Sequence, residues 1–205
     1  MRPVNTLRLS TARKCCYFDE PGGNATVITM IFKKTRIQGV CLLELERIAD
    51  ERGFFGRLWC QTEFAKHGID SRLVQCNLSF NPHPGTLRGM HHQLPPHEET
   101  KVVRCTMGAI FDVAVDLRRD SPTFRQWVGA PLTAENREML VIPPGCAHGY
   151  LTLTANTEVA YQMSVYYAPQ HGAGVRWNDP AFGIQWPGDV KVIADRDRNY
   201  PDFKP

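Results

Sequence analysis

Two features of secreted and membrane proteins are missing from this sequence of 205 residues. A helix that spans a bilayer needs about 20 consecutive apolar residues, and no run in the chain approaches that length. The first residues also lack the apolar centre and the small-residue cleavage site of a signal peptide. We therefore expect a cytoplasmic protein that has no membrane partner.

Cysteine spacing and net charge each exclude a class of binding site. The seven cysteines are scattered and never form a CxxC pair, which argues against a disulfide framework and against a cysteine zinc site. A formal net charge of +3 is too small to indicate a nucleic-acid partner. Any anion must therefore be held by individually placed arginines.

Long helical patterns are also scarce, and segments of strand length fill the chain from Met30 onward. Fifteen prolines and sixteen glycines, spread throughout, indicate many turns. Between them lie stretches rich in β-branched and aromatic residues, such as GVCLLELER, RLVQCNLSF and EVAYQMSVYY. Only TEFAKHG and TAENRE have helical character. We predict one all-β domain over residues 30–205, a jelly-roll barrel with a few short helices, preceded by a poorly specified extension over 1–29.

The strand AIFDVAVDLR bears directly on function. Asp112, Ala114 and Asp116 share one face of it, and apolar residues take the other. Alternate residues of a barrel strand point into its cavity, and carboxylates are hard to bury without partners. The two aspartates therefore face either a polar cavity or solvent. The Met107-Gly108 break before this strand predicts a tight hairpin.

Two segments that contain histidine resemble the paired motifs of the cupin superfamily. GTLRGMHHQ leads to His91, His92 and Gln93, and PPGCAH ends at His148. Strand alternation places His91 and Gln93 on one face, so His92 is expected to pack on the other. Gln93 stands where metal cupins have their second histidine, and a neutral amide is a poor ligand for zinc or iron. We expect no metal, although His91, Glu98 and His148 form a conceivable ligand set.

A longer series of segments resembles the dTDP-4-dehydrorhamnose 3,5-epimerase family, from about Met30 to Pro201. The shared segments are DERGFF, VQCNLS, GTLRGMHHQ, KVVRC, FDVAVDLRRDSPTF, IPPGCAHGYLTL, YQMSVYY and WNDPAFGIQWP. The resemblance implies a cupin-type jelly roll and cofactor-independent epimerisation of a nucleotide-linked 4-keto-6-deoxy sugar. In that reaction a base removes a proton at C3 or C5, and an acid returns one on the opposite face of the enolate.

Three alternatives to this activity stay open. Some relatives invert a single centre of a different sugar nucleotide. A metal-dependent cupin enzyme is the second alternative, and a sugar-nucleotide-binding cupin without catalysis is the third.

The resemblance also implies which groups react. His91 is the implied base, Tyr161 the acid, and Lys101 lies near the 4-keto oxygen. A histidine suits proton transfer at neutral pH, and a phenol with a pKa of about 10 keeps a proton that it can donate to an enolate. The carboxylate that orients His91 matches Asp197. Asp195 and Asp112 are the alternative candidates for this carboxylate.

A set of substrate-binding residues is implied around these groups. Planar guanidinium groups suit bidentate binding of the diphosphate. The implied binding residues are Arg52, Gln75, Asn77, Arg88, His148 and Arg196. The chain departs from the family at two positions, where Arg57 and Gly172 replace glutamates. These replacements predict a changed preference for the nucleobase or the sugar of the substrate, with the proton chemistry intact.

The resemblance finally implies a homodimer. Family members pair through strand exchange, and long edge strands need covering in any open jelly roll. We expect the segment around Arg52 to reach the active site of a neighbouring copy.

Overall fold

The computed structural model describes residues 28–70 and 72–204, and β-strands dominate them. The predicted extension over 1–29 lies outside the described residues except for its last two. The helical elements are α1 (Gln61–Lys66), a 3-10 turn (Pro169–His171) and α2 (Asp195–Arg198). The strands are β1 (Met30–Lys34), β2 (Cys41–Leu45), β3 (Ile48–Asp50), β4 (Gly53–Phe55), β5 (Gln75–Asn81), β6 (Thr86–Gln93), β7 (Lys101–Met107), β8 (Ala109–Asp116), β9 (Trp127–Thr133), β10 (Met139–Ile142), β11 (Cys146–Thr152), β12 (Thr157–Met163), β13 (Gly172–Gly174) and β14 (Val192–Ile193).

Two largely antiparallel sheets pack against each other. The first has the strand order β1-β2-β10-β7-β12-β5, and the second has the order β13-β6-β11-β8-β9. β14 joins the second sheet in parallel with β6, while β3 and β4 form a separate hairpin. Apolar side chains from both sheets, such as Val103, Ile110 and Leu140, form one buried cluster. The expected all-β jelly roll is therefore confirmed.

The Met107-Gly108 break is a corner between the sheets, so the hairpin prediction was wrong. β7 pairs with β10 and β12, whereas β8 pairs with β9 and β11. Gly108 alone separates β7 from β8 and has a φ of +77°. A Cβ at this position would lie 2.6 Å from the Oγ1 atoms of Thr154 and Thr157. Glycine is therefore required where the chain changes sheet.

Of the two predicted helices, TEFAKHG is confirmed and TAENRE is wrong. TEFAKHG overlaps α1, whose Phe64 is fully buried. TAENRE is not helical, because β9 continues to Thr133 and the side chain of Asn136 then accepts a hydrogen bond from the backbone of Thr133. Asparagine competes in this way with the backbone hydrogen bonds of a helix. No helix in the described part of the chain has the length and apolarity to cross a membrane.

The acidic face of β8 is buried, which excludes the solvent-facing alternative. Asp112 and Asp116 are both fully buried. Asp116 accepts hydrogen bonds from Arg118 Nε at 2.8 Å, Ser121 Oγ at 2.5 Å and Thr123 Oγ1 at 2.7 Å. Burial alone would raise the pKa of Asp116, but these hydrogen bonds outweigh burial and hold the pKa at about 2.

Replacing Asp116 by asparagine should destabilise the fold at neutral pH. A pKa of about 2 in the folded state, against about 3.9 in the unfolded chain, corresponds to roughly 2–3 kcal/mol of folding free energy. Because the folded-state pKa is the lower one, this contribution is complete above about pH 4 and is lost as the pH falls toward about 2. Urea unfolding of both proteins should show a difference that shrinks below about pH 4. A difference independent of pH would contradict this assignment.

Candidate active site

A cavity of about 720 Å³ lies between the two sheets. Its wall combines side chains of β5, β7 and β12 from the first sheet with side chains of β6 and β11 from the second. Residues of β14 and α2 complete the wall. All four predicted catalytic residues line this cavity, and so do all the predicted binding residues except Arg52.

A bulge in β6 brings Arg88 and His91 to the same cavity. The register against β11 shifts so that Gly89 and Met90 lie opposite the single Gly149. Residues three apart in a regular strand point to opposite faces, and one extra residue reverses that alternation. Glycine permits the close approach of the strands, because a Cβ at Gly89 would lie 2.5 Å from Gly149 Cα.

The contact between His91 and Asp197 joins β6 to α2. His91 Nε2 lies 2.7 Å from Asp197 Oδ1, and the Gly89 N–H donates to Asp197 Oδ2 at 3.1 Å. Asp197 is only 2% exposed. An ionised carboxylate accepts hydrogen bonds and cannot donate them, so His91 Nε2 carries the proton in this contact. The lone pair is therefore on Nδ1.

Burial and neighbouring charges set the protonation of this pair. Burial lowers the pKa of His91 and outweighs the raising effect of Asp197, while the charges of Arg196 and Lys101 lower it further. Burial acts to raise the pKa of Asp197, but the contacts with His91, Gly89 and Arg196 hold it below its ordinary value. Arg196 Nη2 lies 3.0 Å from His91 Nε2, and it acts there as a charge because that nitrogen already carries a proton. The pair at neutral pH is a neutral imidazole beside a carboxylate, which is the state that a general base requires.

A second histidine–aspartate pair joins β11 to β8. His148 Nε2 lies 2.7 Å from Asp112 Oδ1, and both residues are buried. Burial raises the pKa of Asp112 in spite of the contact with His148. Asp112 is thus engaged by His148, and Asp195 does not line the cavity. Of the three aspartates considered from the sequence, Asp197 is the one that contacts His91.

Tyr161 and Lys101 approach the cavity from the sheet opposite His91. They lie on β12 and β7, which are neighbours in the first sheet. Burial raises the pKa of Tyr161 above its ordinary value of 10, so the phenol keeps its proton at neutral pH. Lys101 Nζ lies 2.8 Å from Glu99 Oε1 and 3.5 Å from the carbonyl oxygen of His91. The imidazole of His91 therefore lies on one sheet, and the phenol of Tyr161 and the amino group of Lys101 lie on the other.

Polar side chains of β5 and β6 extend the wall. Gln75 Nε2 donates to Asn77 Oδ1 at 3.1 Å, and Gln75 Oε1 accepts a hydrogen bond from the backbone N–H of Tyr167 at 3.0 Å. Arg88 Nε donates to Asn81 Oδ1 at 2.8 Å. A guanidinium group has five N–H donors, so Arg88 has further donors for an anionic ligand.

Two polar groups of the wall were missed or misplaced by the sequence predictions. Glu99, which is 6% exposed, was not predicted as a site residue. Its position two residues before Lys101 is the signal that could have found it, because extended chain places such residues on the same face. His92 was expected to pack away from the cavity, but it lines the same wall. Residues 91–93 all border the cavity at the end of β6, and alternation alone does not separate them there.

Arg52 is the predicted binding residue that lies elsewhere. It is largely exposed at the turn of the β3–β4 hairpin, where it forms an ion pair with Asp50. Arg57, one of the two departures from the family, is also outside the cavity and pairs with Glu63 at 2.5 Å. The expectation that Arg57 changes the nucleobase or sugar preference stays a prediction. Gly172, the other departure, does line the cavity.

The conceivable metal-ligand set is not assembled. Each histidine of that set already contacts an aspartate, and Glu98 does not line the cavity. Within residues 28–70 and 72–204, no three His, Cys, Asp or Glu side chains converge in an arrangement that could hold a metal ion.

Known proteins share both the sequence and the fold of this chain. The family model for dTDP-4-dehydrorhamnose 3,5-epimerase matches residues 34–205. The dTDP-4-dehydrorhamnose 3,5-epimerase of Sinorhizobium fredii is 41% identical over 182 residues, which cover 88% of this chain and 93% of that protein.

Two crystal structures extend this similarity to the fold. The dTDP-4-dehydrorhamnose 3,5-epimerase of Bacillus anthracis, with TDP and PPi bound, superposes with a TM-score of 0.81 and 40% identity, covering 85% of this chain and 100% of that one. The dTDP-6-deoxy-D-glucose-3,5-epimerase of Legionella pneumophila, in complex with dTDP-4-keto-L-rhamnose, gives a TM-score of 0.77 and 37% identity over 82% of this chain and 90% of that one. The chain therefore belongs to the dTDP-4-dehydrorhamnose 3,5-epimerase family.

Proposed function

We propose that this protein, an isomerase of that family, converts dTDP-4-dehydro-6-deoxyglucose to dTDP-4-dehydrorhamnose by inverting C3 and C5. The observation that carries the proposal is the arrangement of a neutral His91, held by Asp197, in one cavity with Tyr161 and Lys101. The TDP and dTDP-4-keto-L-rhamnose bound by the two structural relatives support this substrate class. The cytoplasmic location stays a prediction from the sequence.

The proposed reaction is a proton transfer through an enolate. The 4-keto group acidifies the hydrogens on C3 and C5, and His91 Nδ1 removes one of them as a proton. The electrons of the broken C–H bond then form the enolate, whose oxygen is stabilised by the Lys101 ammonium. Loss of one such donor typically raises a barrier by about 3–4 kcal/mol. Asp197 stabilises the imidazolium that forms.

Tyr161 completes the inversion from the other side of the sugar ring. The phenol donates its proton to the enolate carbon, and the new C–H bond forms on the face opposite the one that His91 deprotonated. Proton exchange with solvent then restores the phenol and the neutral imidazole, so the net reaction changes stereochemistry alone. No redox cofactor is required for these steps.

The nucleotide diphosphate is assigned to the arginines at the cavity. Arg88 and Arg196 present planar guanidinium groups that suit phosphate oxygens. Gln75, Asn77 and His148 supply further polar groups to the same cavity and are assigned to the sugar and the nucleoside.

Deuterium incorporation tests this activity directly. The protein is incubated in heavy water with dTDP-4-keto-6-deoxyglucose, and NMR of the product measures the label at each carbon. Deuterium should enter at both C3 and C5, because the returned proton comes from a group that exchanges with solvent. Label at neither carbon, or at only one, would contradict a two-centre epimerase.

Matched variants separate catalysis from binding in the same assay. His91→Ala should reduce labelling by at least about 100-fold and leave affinity for the nucleotide sugar within a few-fold, because a base is lost and the binding groups stay. His83→Ala is the control, since His83 is exposed and outside the cavity. If His91→Ala lost affinity and labelling equally, His91 would be a binding residue.

We further propose that two copies pair through the outer face of the first sheet. β5 is an edge strand of this sheet, and its Leu78 and Phe80 are 61% and 50% exposed. Ala160 of β12 lies beside Leu78 and extends the apolar surface. A long edge strand with exposed apolar side chains invites pairing with another chain. We assign Arg52 to the cavity of the second copy, because it does not line the 720 Å³ cavity formed by the described residues of its own chain.

Sedimentation velocity tests the pairing. The wild-type protein should sediment as a dimer, and the double variant Leu78→Glu, Phe80→Glu should sediment as a monomer because buried carboxylates would repel across the interface. Leu153→Glu, which changes an exposed leucine outside β5, should stay dimeric. A monomeric wild type or a dimeric double variant would contradict this interface.

A further inference from the structure

Glu99 lies in the cavity wall and has no role in the reaction described above. Its side chain is 4% exposed, and its Oε1 lies 2.8 Å from Lys101 Nζ. Its other oxygen, Oε2, is buried and has no hydrogen-bond partner in the described part of the chain. The same is true of His92 Nδ1 in the same wall.

This arrangement is a poor way to stabilise a fold. Burying an ion pair incurs a desolvation penalty that often exceeds the Coulombic gain, and apolar residues of similar volume are commonly as stable or more stable. Each buried polar atom that lacks a partner adds a further desolvation cost. Unsatisfied buried groups in native proteins are often explained by function. Glu99 is therefore better explained by what it does to Lys101 than by stability.

The surrounding contacts allow Glu99 to fix the direction of the Lys101 ammonium. A lysine side chain is long and flexible, so a cation placed for catalysis needs to be held. Glu99 Oε1 and the carbonyl oxygen of His91, at 3.5 Å, approach the ammonium, which has three N–H donors. Thr100, between Glu99 and Lys101, is anchored by Ser164 through hydrogen bonds of 2.8 Å and 3.0 Å. The acid is thus held on fixed backbone beside the cation.

We propose that Glu99 is a positioning residue that directs the Lys101 ammonium toward the keto oxygen of the sugar. As negative charge develops on that oxygen, the ammonium shifts its interaction from Glu99 to the enolate. This inference rests on the proposed function of Lys101. Because the enolate charge grows only in the transition state, Glu99 acts on turnover rather than on affinity, and it acts only through Lys101.

Single substitutions give the first test. Glu99→Ala should lower kcat by at least about 10-fold and leave KM within about 3-fold of the wild-type value. The Lys101 ammonium is then no longer directed toward the keto oxygen, whereas the substrate-binding residues are unchanged. Glu99→Gln should keep most of the activity, because its amide oxygen still accepts a hydrogen bond from the ammonium. Glu98→Ala is the matched control, as this neighbouring acid does not line the cavity. If Glu99→Gln were as impaired as Glu99→Ala, the positioning role would be overturned.

A double-mutant cycle with Lys101→Met gives the second test. Adding Glu99→Ala to Lys101→Met should cause no further loss of deuterium incorporation, because the two residues act as one unit. An equal fold-loss in both backgrounds would overturn the proposal. Failure of the proposed function would look different, since the wild-type protein itself would then introduce no deuterium.

Thermal unfolding distinguishes positioning from a merely structural role. The double variant Glu99→Met, Lys101→Met should have a Tm equal to or above that of the wild type, although its turnover is lost. A Tm well below the wild-type value would show that the pair is kept for stability, which would overturn the proposal.

Discussion

The proposed chemistry of this cavity depends on the hydrogen bond between His91 and Asp197. Burial favours the neutral imidazole, and the carboxylate fixes which ring nitrogen carries the proton. The same carboxylate accepts the N–H of Gly89, so it also ties α2 to the bulged part of β6. Burial therefore sets the protonation state of His91, whereas this one interaction sets its tautomer and the position of the C-terminal segment.

The sandwich of two sheets supplies what a stereochemical inversion needs. Inversion requires a base and an acid on opposite faces of one ring, and the cavity has His91 on β6 of one sheet and Tyr161 on β12 of the other. Short strands hold these side chains on rigid backbone, which keeps the reacting geometry precise. The glycines at the bulge show how closely the backbone must approach to achieve this.

Strand periodicity predicted much of the fold because it reports which residues share a face. It placed Asp112 and Asp116 on one face of β8 but left open whether that face meets a cavity or solvent, and the structure shows that it is buried. The family motifs pointed to four residues that line one cavity, His91, Tyr161, Lys101 and Asp197. Periodicity does not report which strand becomes the neighbour. The corner at Gly108 was therefore mistaken for a hairpin.

Other predictions were wrong or incomplete where strand alternation along the sequence does not decide what a side chain contacts in the folded chain. Residues 91–93 all border the cavity at the end of β6, so alternation along the strand misplaced His92. Glu99 was missed because a buried acid is identified by its partner, and the 2.8 Å contact with Lys101 is a property of the folded chain. Arg52 matched a family position, and the expectation that its segment reaches the cavity of a neighbouring copy stays a prediction.

Nitrogen-15 NMR of His91 tests the central claim most directly. The chemical shifts of the two ring nitrogens report the tautomer and the pKa. We predict a neutral ring at pH 7 with its proton on Nε2, and a pKa below the ordinary value of 6.5. An imidazolium at pH 7, or a neutral ring protonated on Nδ1, would contradict it.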